Sequence, residues 1–245
     1  MTDRETSPIF EYVEACAKAT RVSELAEVSR RYYATTPVKM TSYQHYPPVG
    51  SPDVDKNLRV FTTGYPEEYV REYNGKDLWR DDPFVRLAST ATAPFFWSDA
   101  VNDPTLTARE RAYLDYASGA HLGEGVSVPV FGPRGRNGYC GMGFGRGAPR
   151  PGPDVIAEIH WACQIGHLAY CGVLARKLTQ ETHLSAREKE ILGRVARGHT
   201  NGEIADQLHI SRNTVETYIR RCFDKLEVTD RVSAALRGMA IGMVD

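Results

Sequence analysis

The sequence lacks the features that mark a membrane protein, a secreted protein or a disulfide-rich protein. No stretch approaches about 18 consecutive uncharged apolar residues, which excludes a membrane span. The N-terminus, Met1–Glu5, leads into an amphipathic segment at Ile9–Ala19 and has no apolar signal-peptide core. The five cysteines include no CxxC pair, so they form neither a disulfide framework nor a zinc site. These absences predict a cytoplasmic protein with reduced thiols.

Catalytic and cofactor-binding patterns are also missing. The seven histidines are scattered without metal-ligand spacing, and Cys140 has no base partner in the sequence. The glycine-rich run 138–147 matches neither the dinucleotide-binding nor the phosphate-loop pattern. We therefore predict that the chain is not an enzyme, has no catalytic residue and holds neither a metal nor a cofactor.

A large excess of charge is absent too, because the 245 residues carry a formal net charge of −1. This balance, taken alone, disfavours a nucleic-acid partner. However, DNA binding depends on positive charge close to the phosphates and not on the sum over the chain. Residues 211–225 contain four basic and two acidic side chains, which fits either a DNA-binding helix or a solvated helix face.

What the sequence has is enough length for one large domain or two unequal ones, with helical and strand-like patterns mixed in its first part. Strands are predicted at Val38–Tyr46, Leu58–Thr62, Gly125–Phe131 and Gly138–Gly145. Helices are predicted after Ser7 and Ser23, at Pro66–Tyr73 and Pro83–Ala91, after a capping box at Thr107–Glu110, and from Pro153 to about Leu178. This mixture predicts an α+β fold, an α-β-α sandwich with an antiparallel sheet.

The C-terminal quarter of the chain contains four short helical patterns, each with its own cap. Capping boxes occur at Ser185–Glu188 and Thr200–Glu203, and Ser211 and Thr229 are the predicted caps of the next two helices. A short helix, a tight turn and a longer helix with one apolar stripe form a helix-turn-helix. We therefore predict an all-α, four-helix DNA-binding domain, with a small bundle for protein contacts as the alternative.

The longer helix carries DNA-binding side chain types on the face opposite its apolar stripe. Arginine bridges guanine, asparagine bridges adenine, and threonine meets a thymine methyl group or a phosphate. The predicted DNA-binding residues are Thr200, Arg212, Asn213, Thr214, Glu216, Thr217, Arg220, Arg221 and Lys225.

This region resembles the DNA-binding domain of LuxR-type transcription regulators in the segments 184–188, 198–205, 210–215 and 225–228. Tyr218 departs from the histidine that many members have there. The resemblance implies that the last helix, near Arg231–Gly242, takes part in a dimer. A two-fold dimer predicts an inverted-repeat DNA site with half-sites about 10 base pairs apart.

A second resemblance covers Tyr65–Phe131. Its motifs, which look like the autoinducer-binding domain of quorum-sensing LuxR-type regulators, lie at 65–73, 82–85, 94–97 and 125–129. Together the two resemblances imply an autoinducer-binding domain at 1–179, a linker at 180–183 and a DNA-binding domain at 184–245.

Such a domain would bind an acyl-homoserine lactone, which has one amide N–H, carbonyl acceptors and an apolar tail. Each polar ligand atom that is buried without a partner costs about 1–3 kcal/mol. Asp82 can accept from the amide, Tyr73 can donate to the acyl carbonyl, and Trp97 can cover the ring. The predicted ligand-binding residues are Tyr65, Tyr69, Tyr73, Asp82, Val85, Trp97, Tyr113 and Ser127.

Two positions depart from the lactone-binding pattern. Tyr69 stands where a tryptophan usually donates its indole N–H to the lactone carbonyl, and a tyrosine hydroxyl has a different reach. Gly141 stands where many members have serine or threonine, with Ser127 on the neighbouring strand as a substitute. Gly141 is also expected to leave space for a bulkier or aromatic acyl group.

We therefore predict a cytoplasmic homodimer that binds double-stranded DNA and regulates transcription in response to an acyl-homoserine lactone, as in quorum sensing. A LuxR-type regulator of a non-lactone small molecule is the first alternative. A phosphorylation-controlled response regulator is the second, although a receiver domain needs a regular β–α alternation that the start of this sequence does not show.

Overall fold

The computed structural model describes residues 7–53 and 61–244. The chain divides into two compact units. Unit 1 contains Met1–Tyr46, Leu58–Gly132 and Asn137–Tyr170, and unit 2 contains Pro47–Asn57, Pro133–Arg136 and Cys171–Asp245. Among the described residues, no helix is both long enough and apolar enough to cross a membrane.

The elements follow the predicted mixture of helices and strands. The strands are β1 (Met40–Tyr46), β2 (Phe61–Thr63), β3 (Phe95–Phe96), β4 (Glu124–Val130) and β5 (Asn137–Gly145). The helices are α1 (Pro8–Lys18), α2 (Val22–Tyr33), α3 (Glu67–Gly75), α4 (Pro83–Thr90), α5 (Trp97–Ala100), α6 (Ala108–Gly119), α7 (Pro153–Glu181), α8 (Ala186–Ala196), α9 (Asn201–Leu208), α10 (Arg212–Leu226) and α11 (Arg231–Ala240).

The five strands form one antiparallel sheet in the order β2-β1-β5-β4-β3. On one face the sheet packs against α7, where the Tyr43 hydroxyl of β1 lies 2.8 Å from Nδ1 of His167. Ser42 and Gln44 alternate with Tyr43 along β1, so they point to the opposite face, toward α3 to α6. The predicted α-β-α sandwich is therefore confirmed, and its antiparallel order differs from the parallel sheet that a receiver domain needs.

Gly125 of β4 lies directly beneath the indole ring of Trp97. A Cβ atom at Gly125 would lie 2.6 Å from three ring carbons of Trp97, closer than such atoms approach each other. Glycine is therefore required here for Trp97 to lie against the sheet. Trp97 is the first residue of α5 and is 8% exposed.

Most of the predicted helix caps are confirmed, because they depend only on neighbouring residues. The capping boxes at Thr107, Ser185 and Thr200 form, and the Ser211 side chain accepts from the backbone of Thr214.

Two predicted caps are wrong. Helix α2 begins at Val22, so Ser23 lies inside it. Helix α11 is capped by Asp230 and not by Thr229, because the Asp230 carboxylate accepts from the backbone N–H groups of Val232 and Ser233. Ser7 stands in the N-cap position of α1, but its side chain makes no cap hydrogen bond.

Several predicted element ends also shift. Strand β1 begins at Met40 and not at Val38, and β2 extends to Thr63, while residues 58–60 of its predicted range lie outside the described residues. Helix α7 continues to Glu181, so the predicted linker at 180–183 overlaps its last turn and the start of a non-helical segment at 182–185.

Unit 2 contains helices α8 to α11 around one apolar core. Ile191 of α8, Ile204 of α9 and Val215 of α10 are fully buried in it. Arg136, which is 3% exposed, connects segment 133–136 of this unit to the described residues 47–53. Its guanidinium pairs with Asp53 at 3.0 Å and donates to the carbonyl oxygen of Ala240 at 3.1 Å.

Candidate functional site

Unit 1 holds a cavity of about 490 Å³ between the sheet and helices α3 to α6. Its wall combines aromatic rings with a few polar side chains, which is typical of small-molecule sites. Six of the eight predicted ligand-binding residues line it: Tyr65, Tyr69, Tyr73, Asp82, Trp97 and Tyr113. The fold therefore collects these residues from four different helices and the segments that precede them.

Val85 and Ser127 are the two predicted residues that do not line the cavity. The carbonyl oxygen of Val85 accepts a hydrogen bond from the Tyr46 hydroxyl at 3.4 Å. Ser127 is fully buried in β4, and its hydroxyl oxygen lies 3.5 Å from that of Tyr139. Because Tyr139 itself lines the cavity, Ser127 reaches the cavity only through Tyr139.

The cavity is also lined by three residues that were not predicted from the sequence: Ser42 and Gln44 of β1 and Tyr139 of β5. In the register of these strands, Gln44 stands opposite Tyr139 and Ser42 opposite Gly141, so the four residues share one face. The alternating polar residues of β1 were a signal in the sequence. They identify a cavity wall only when the register with β5 is known.

Asp82 is the centre of a buried hydrogen-bond network. Its Oδ1 atom accepts from the backbone N–H of Phe84 at 2.9 Å, which also caps α4. Its Oδ2 atom accepts from the Tyr73 hydroxyl at 2.8 Å and from the Tyr113 hydroxyl at 3.2 Å. Since the hydrogen of Tyr113 goes to Asp82, the Tyr69 hydroxyl donates to Tyr113 across 2.7 Å. All three tyrosine hydrogens are thus used inside the protein.

Burial gives Asp82 an unusual acidity. The loss of water raises its pKa to about 6, although the hydrogen bonds from Tyr73, Phe84 and Tyr113 act in the opposite direction. The carboxyl group is therefore mainly ionised at neutral pH. As an ionised acceptor it favours a ligand N–H group.

Two buried polar atoms of the wall have no hydrogen-bond partner among the residues that the structure describes. They are the indole nitrogen Nε1 of Trp97, a donor, and the carboxamide oxygen Oε1 of Gln44, an acceptor. Both residues line the cavity, and neither atom is exposed to solvent. A ligand with a complementary acceptor and donor would satisfy atoms that the protein leaves unpaired.

The space over Gly141 is filled by hydroxyl groups. A Cβ atom there would lie 2.5 Å from Oγ of Ser42 and 2.8 Å from the hydroxyl oxygen of Tyr139. The expectation that Gly141 leaves room for a bulky acyl group is therefore wrong, because the hydroxyl groups of Ser42 and Tyr139 occupy the space over it. Neighbouring side chains bring to this point the kind of hydroxyl group that a serine or threonine at 141 would supply.

Helix α10 of unit 2 presents the predicted DNA-binding residues. Val215, Ile219 and Cys222 are buried on its inner side. The opposite side exposes Arg212, Asn213, Glu216, Thr217, Arg220 and Arg221, while Thr214 is half-buried and Thr200 caps α9. An exposed row of arginine, asparagine and threonine on one helix suits contact with phosphates and base edges.

Two basic residues of α10, Lys225 and Arg221, differ in whether their charge is paired with a carboxylate. The Nζ atom of Lys225 lies 2.7 Å from a carboxylate oxygen of Glu188, whose side chain is 4% exposed. Burial alone would raise the pKa of Glu188, but hydrogen bonds from Lys225 and Ser185 hold it below its usual value. Lys225 therefore stabilises the helix packing, whereas Arg221 lies over the ring of Tyr218 with its charge exposed.

Known families match both parts of the chain. Residues 23–170 match a family model described as the autoinducer binding domain, and residues 182–237 match one described as bacterial regulatory proteins, luxR family. The transcriptional activator protein TraR of Rhizobium radiobacter is 30% identical over 185 residues, covering 73% of this chain and 76% of TraR. The HTH-type transcriptional regulator y4qH of Sinorhizobium fredii is 32% identical over 166 residues, which cover 66% of this chain and 50% of y4qH.

Solved structures of SdiA share the fold. The crystal structure of Escherichia coli SdiA has a TM-score of 0.73 at 22% identity, covering 96% of this chain and 97% of that one. A second structure, of SdiA in complex with octanoyl-rac-glycerol, has the same TM-score and covers 98% of this chain and 97% of that chain.

The raised pKa of Asp82 predicts a pH dependence of stability. In the unfolded chain the pKa of an aspartate is about 3.9. The contribution of Asp82 to stability is therefore fully present below about pH 4 and is lost as the pH rises through about 6. Relative to Asp82→Asn, the wild type should lose about 1 kcal/mol of unfolding free energy between about pH 5 and pH 7.

Urea unfolding at each pH, followed by near-ultraviolet circular dichroism of the aromatic residues, measures this difference. Asp115→Asn, on the exposed side of α6, is the matched control and should follow the wild type. A difference between wild type and Asp82→Asn that stays constant across this pH range would contradict the assigned pKa.

Proposed function

Because this chain belongs to the autoinducer-binding family of LuxR-type transcription regulators, we propose that an acyl-homoserine lactone in the cavity of unit 1 controls its binding to DNA. The relatives are transcription regulators, so the chain is not an enzyme, and the shared domains are consistent with quorum sensing. The cytoplasm is the proposed location because the DNA target lies there. The proposed domains are 1–179 for ligand binding and 184–245 for DNA binding, with a linker at 180–183.

One observation supports the lactone most: the cavity offers an ionised acceptor and an unpaired donor. Asp82 can accept from the amide N–H of the ligand. Nε1 of Trp97 can donate to a ligand carbonyl, a role that the Tyr69 hydroxyl is not free to take because its hydrogen goes to Tyr113. The rings of Tyr65 and Tyr73 add apolar area for the ring or the acyl chain.

A non-lactone small molecule is the second candidate. One observation favours it: the Tyr73 hydroxyl already donates its hydrogen to Asp82. This hydroxyl would have to turn to donate to a ligand carbonyl instead. The solved complex of the relative SdiA with octanoyl-rac-glycerol supports keeping this candidate. An unusual acyl group remains part of the lactone proposal, but its room lies elsewhere than over Gly141.

We further propose a homodimer on an inverted-repeat DNA site. Two apolar surfaces support it: Trp161 and Leu168 on α7 are 69% and 47% exposed, and Val232 and Met239 on α11 are 66% and 44% exposed. Large exposed apolar patches mark interaction sites. A two-fold dimer would place two copies of α10 in successive major grooves, with half-sites about 10 base pairs apart.

The role of Asp82 is tested by ligand titration. Asp82→Asn replaces an ionised acceptor by a neutral amide, so it should weaken the binding of octanoyl-homoserine lactone about tenfold or more. Isothermal titration calorimetry of the full chain measures the affinity, with Asp115→Asn as the control that should bind like the wild type. Equal affinity of wild type and Asp82→Asn would contradict the assigned role, and a wild type that binds DNA but no lactone would favour the second candidate.

The DNA-binding face is tested by the salt dependence of DNA affinity. Arg220→Ala and Arg221→Ala should each weaken binding to duplex DNA. Each should also reduce the slope of log affinity against log salt by about one for every phosphate that the arginine neutralises in the wild type. Arg109→Ala, an exposed arginine of α6, should leave both values unchanged. Unaltered affinity and slope in both α10 variants would contradict DNA binding through this face and favour a protein-contact module.

A further inference from the structure

Gln44 carries a buried acceptor that nothing in the described part of the protein pairs. The residue is 2% exposed and lines the cavity. Its Nε2 atom donates to the Tyr73 hydroxyl at 3.3 Å, while its Oε1 atom has no partner. A buried carbonyl oxygen without a partner is unfavourable, so a ligand that supplies a donor here gains affinity from the new hydrogen bond.

The orientation of the Gln44 carboxamide follows from its neighbour. The Tyr73 hydroxyl gives its only hydrogen to Asp82, at 2.8 Å, and can therefore only accept from Gln44. The amide nitrogen of Gln44 must face Tyr73, and the oxygen must face away from it. One hydrogen of the Gln44 nitrogen is thus used by Tyr73, and the Gln44 oxygen is the acceptor that a ligand in this part of the cavity can pair.

Gln44 also lies close to the place where the polar part of a ligand would bind. The Tyr73 oxygen contacts both Oδ2 of Asp82, at 2.8 Å, and Nε2 of Gln44, at 3.3 Å. Gln44 and Asp82 are therefore separated by a single hydroxyl oxygen. If a ligand N–H meets Asp82 and the acyl side of that amide faces β1, the first few carbons of the acyl chain lie beside Gln44.

A second polar cluster continues along the same wall. Ser42 and Tyr139 bring their hydroxyl oxygens together over Gly141, and Ser127 lies 3.5 Å behind Tyr139. Ser42 is two residues from Gln44 on β1, and Tyr139 stands opposite Gln44 on β5. A ligand with a purely hydrocarbon tail would leave this row of polar groups against apolar atoms.

We propose that the acyl part of the ligand carries a hydroxyl group within the first few carbons after its carbonyl, and that Oε1 of Gln44 accepts the hydrogen of that hydroxyl. Gln44 is then a specificity-determining residue that distinguishes a hydroxylated acyl chain from an unsubstituted or oxo-substituted one. An oxo group at the same carbon has an oxygen of similar size but no hydrogen to donate. For lactones, this inference rests on the proposed function of the cavity.

The test compares three lactones on the full chain by isothermal titration calorimetry: 3-hydroxyoctanoyl-, 3-oxooctanoyl- and octanoyl-homoserine lactone. The wild type should bind the hydroxylated probe about tenfold more tightly than the other two, the value of one hydrogen bond to an otherwise unpaired acceptor. Gln44→Met keeps the length of the side chain but removes the acceptor, so the three affinities should come within about twofold of each other. Gln180→Met, an exposed glutamine near the end of α7, is the matched control and should keep the preference.

The proposal is overturned by equal binding of the three lactones to the wild type. It is also overturned if Gln44→Met keeps the preference or weakens all three probes alike, since the latter indicates a structural role. If Gln44→Met does not fold, equal binding of the hydroxy and oxo probes to the wild type still overturns the proposal, because the hydroxy group donates a hydrogen bond and the oxo group does not.

Two further probes separate this inference from the lactone proposal: octanoylglycerol, which has hydroxyl donors, and methyl octanoate, which has none. If no lactone binds but octanoylglycerol binds more tightly than methyl octanoate, and Gln44→Met removes the difference, the lactone proposal fails and the role of Gln44 stands. If none of the five probes binds, both proposals fail.

Discussion

The buried carboxylate of Asp82 is the constraint on which the geometry of the ligand cavity depends. A carboxylate without water needs several hydrogen bonds, and it takes them from Tyr73, Tyr113 and the backbone of Phe84. Those bonds use the hydrogens of both tyrosines. Tyr113 must then accept from Tyr69, and Tyr73 must accept from Gln44. One charge thus sets the direction of the hydrogen bonds that connect the two tyrosines to Tyr69 and Gln44.

The hydrogen-bond network around Asp82 determines which polar atoms remain for a ligand to pair. Among the described residues, the fully buried atoms of the cavity wall that then have no hydrogen-bond partner are a donor on Trp97 and an acceptor on Gln44. Trp97 can lie against the sheet because Gly125 has no side chain, and the register of β1 with β5 fixes the position of Gln44. These two atoms therefore favour a ligand that brings an acceptor for Trp97 and a donor for Gln44.

The features predicted from the sequence are those that depend on neighbouring residues or on a family motif. The capping boxes and the apolar stripe of α10 are local patterns, and Tyr73 and Asp82 belong to a motif. Gln44 was missed because its importance depends on a strand far away in the sequence. The ion pair of Lys225 was missed for a similar reason, since its partner Glu188 lies on another helix and a run of basic residues does not reveal that pairing.

We propose that a small molecule fills the cavity of unit 1 and controls a dimer that binds DNA. Native mass spectrometry of the full chain, expressed with and without octanoyl-homoserine lactone and its 3-hydroxy form, tests it most directly because it reports bound mass and assembly together. We expect a dimer that carries one ligand mass per chain when ligand is supplied. A protein that folds with the same mass and the same assembly under all conditions, with no ligand retained, would contradict it.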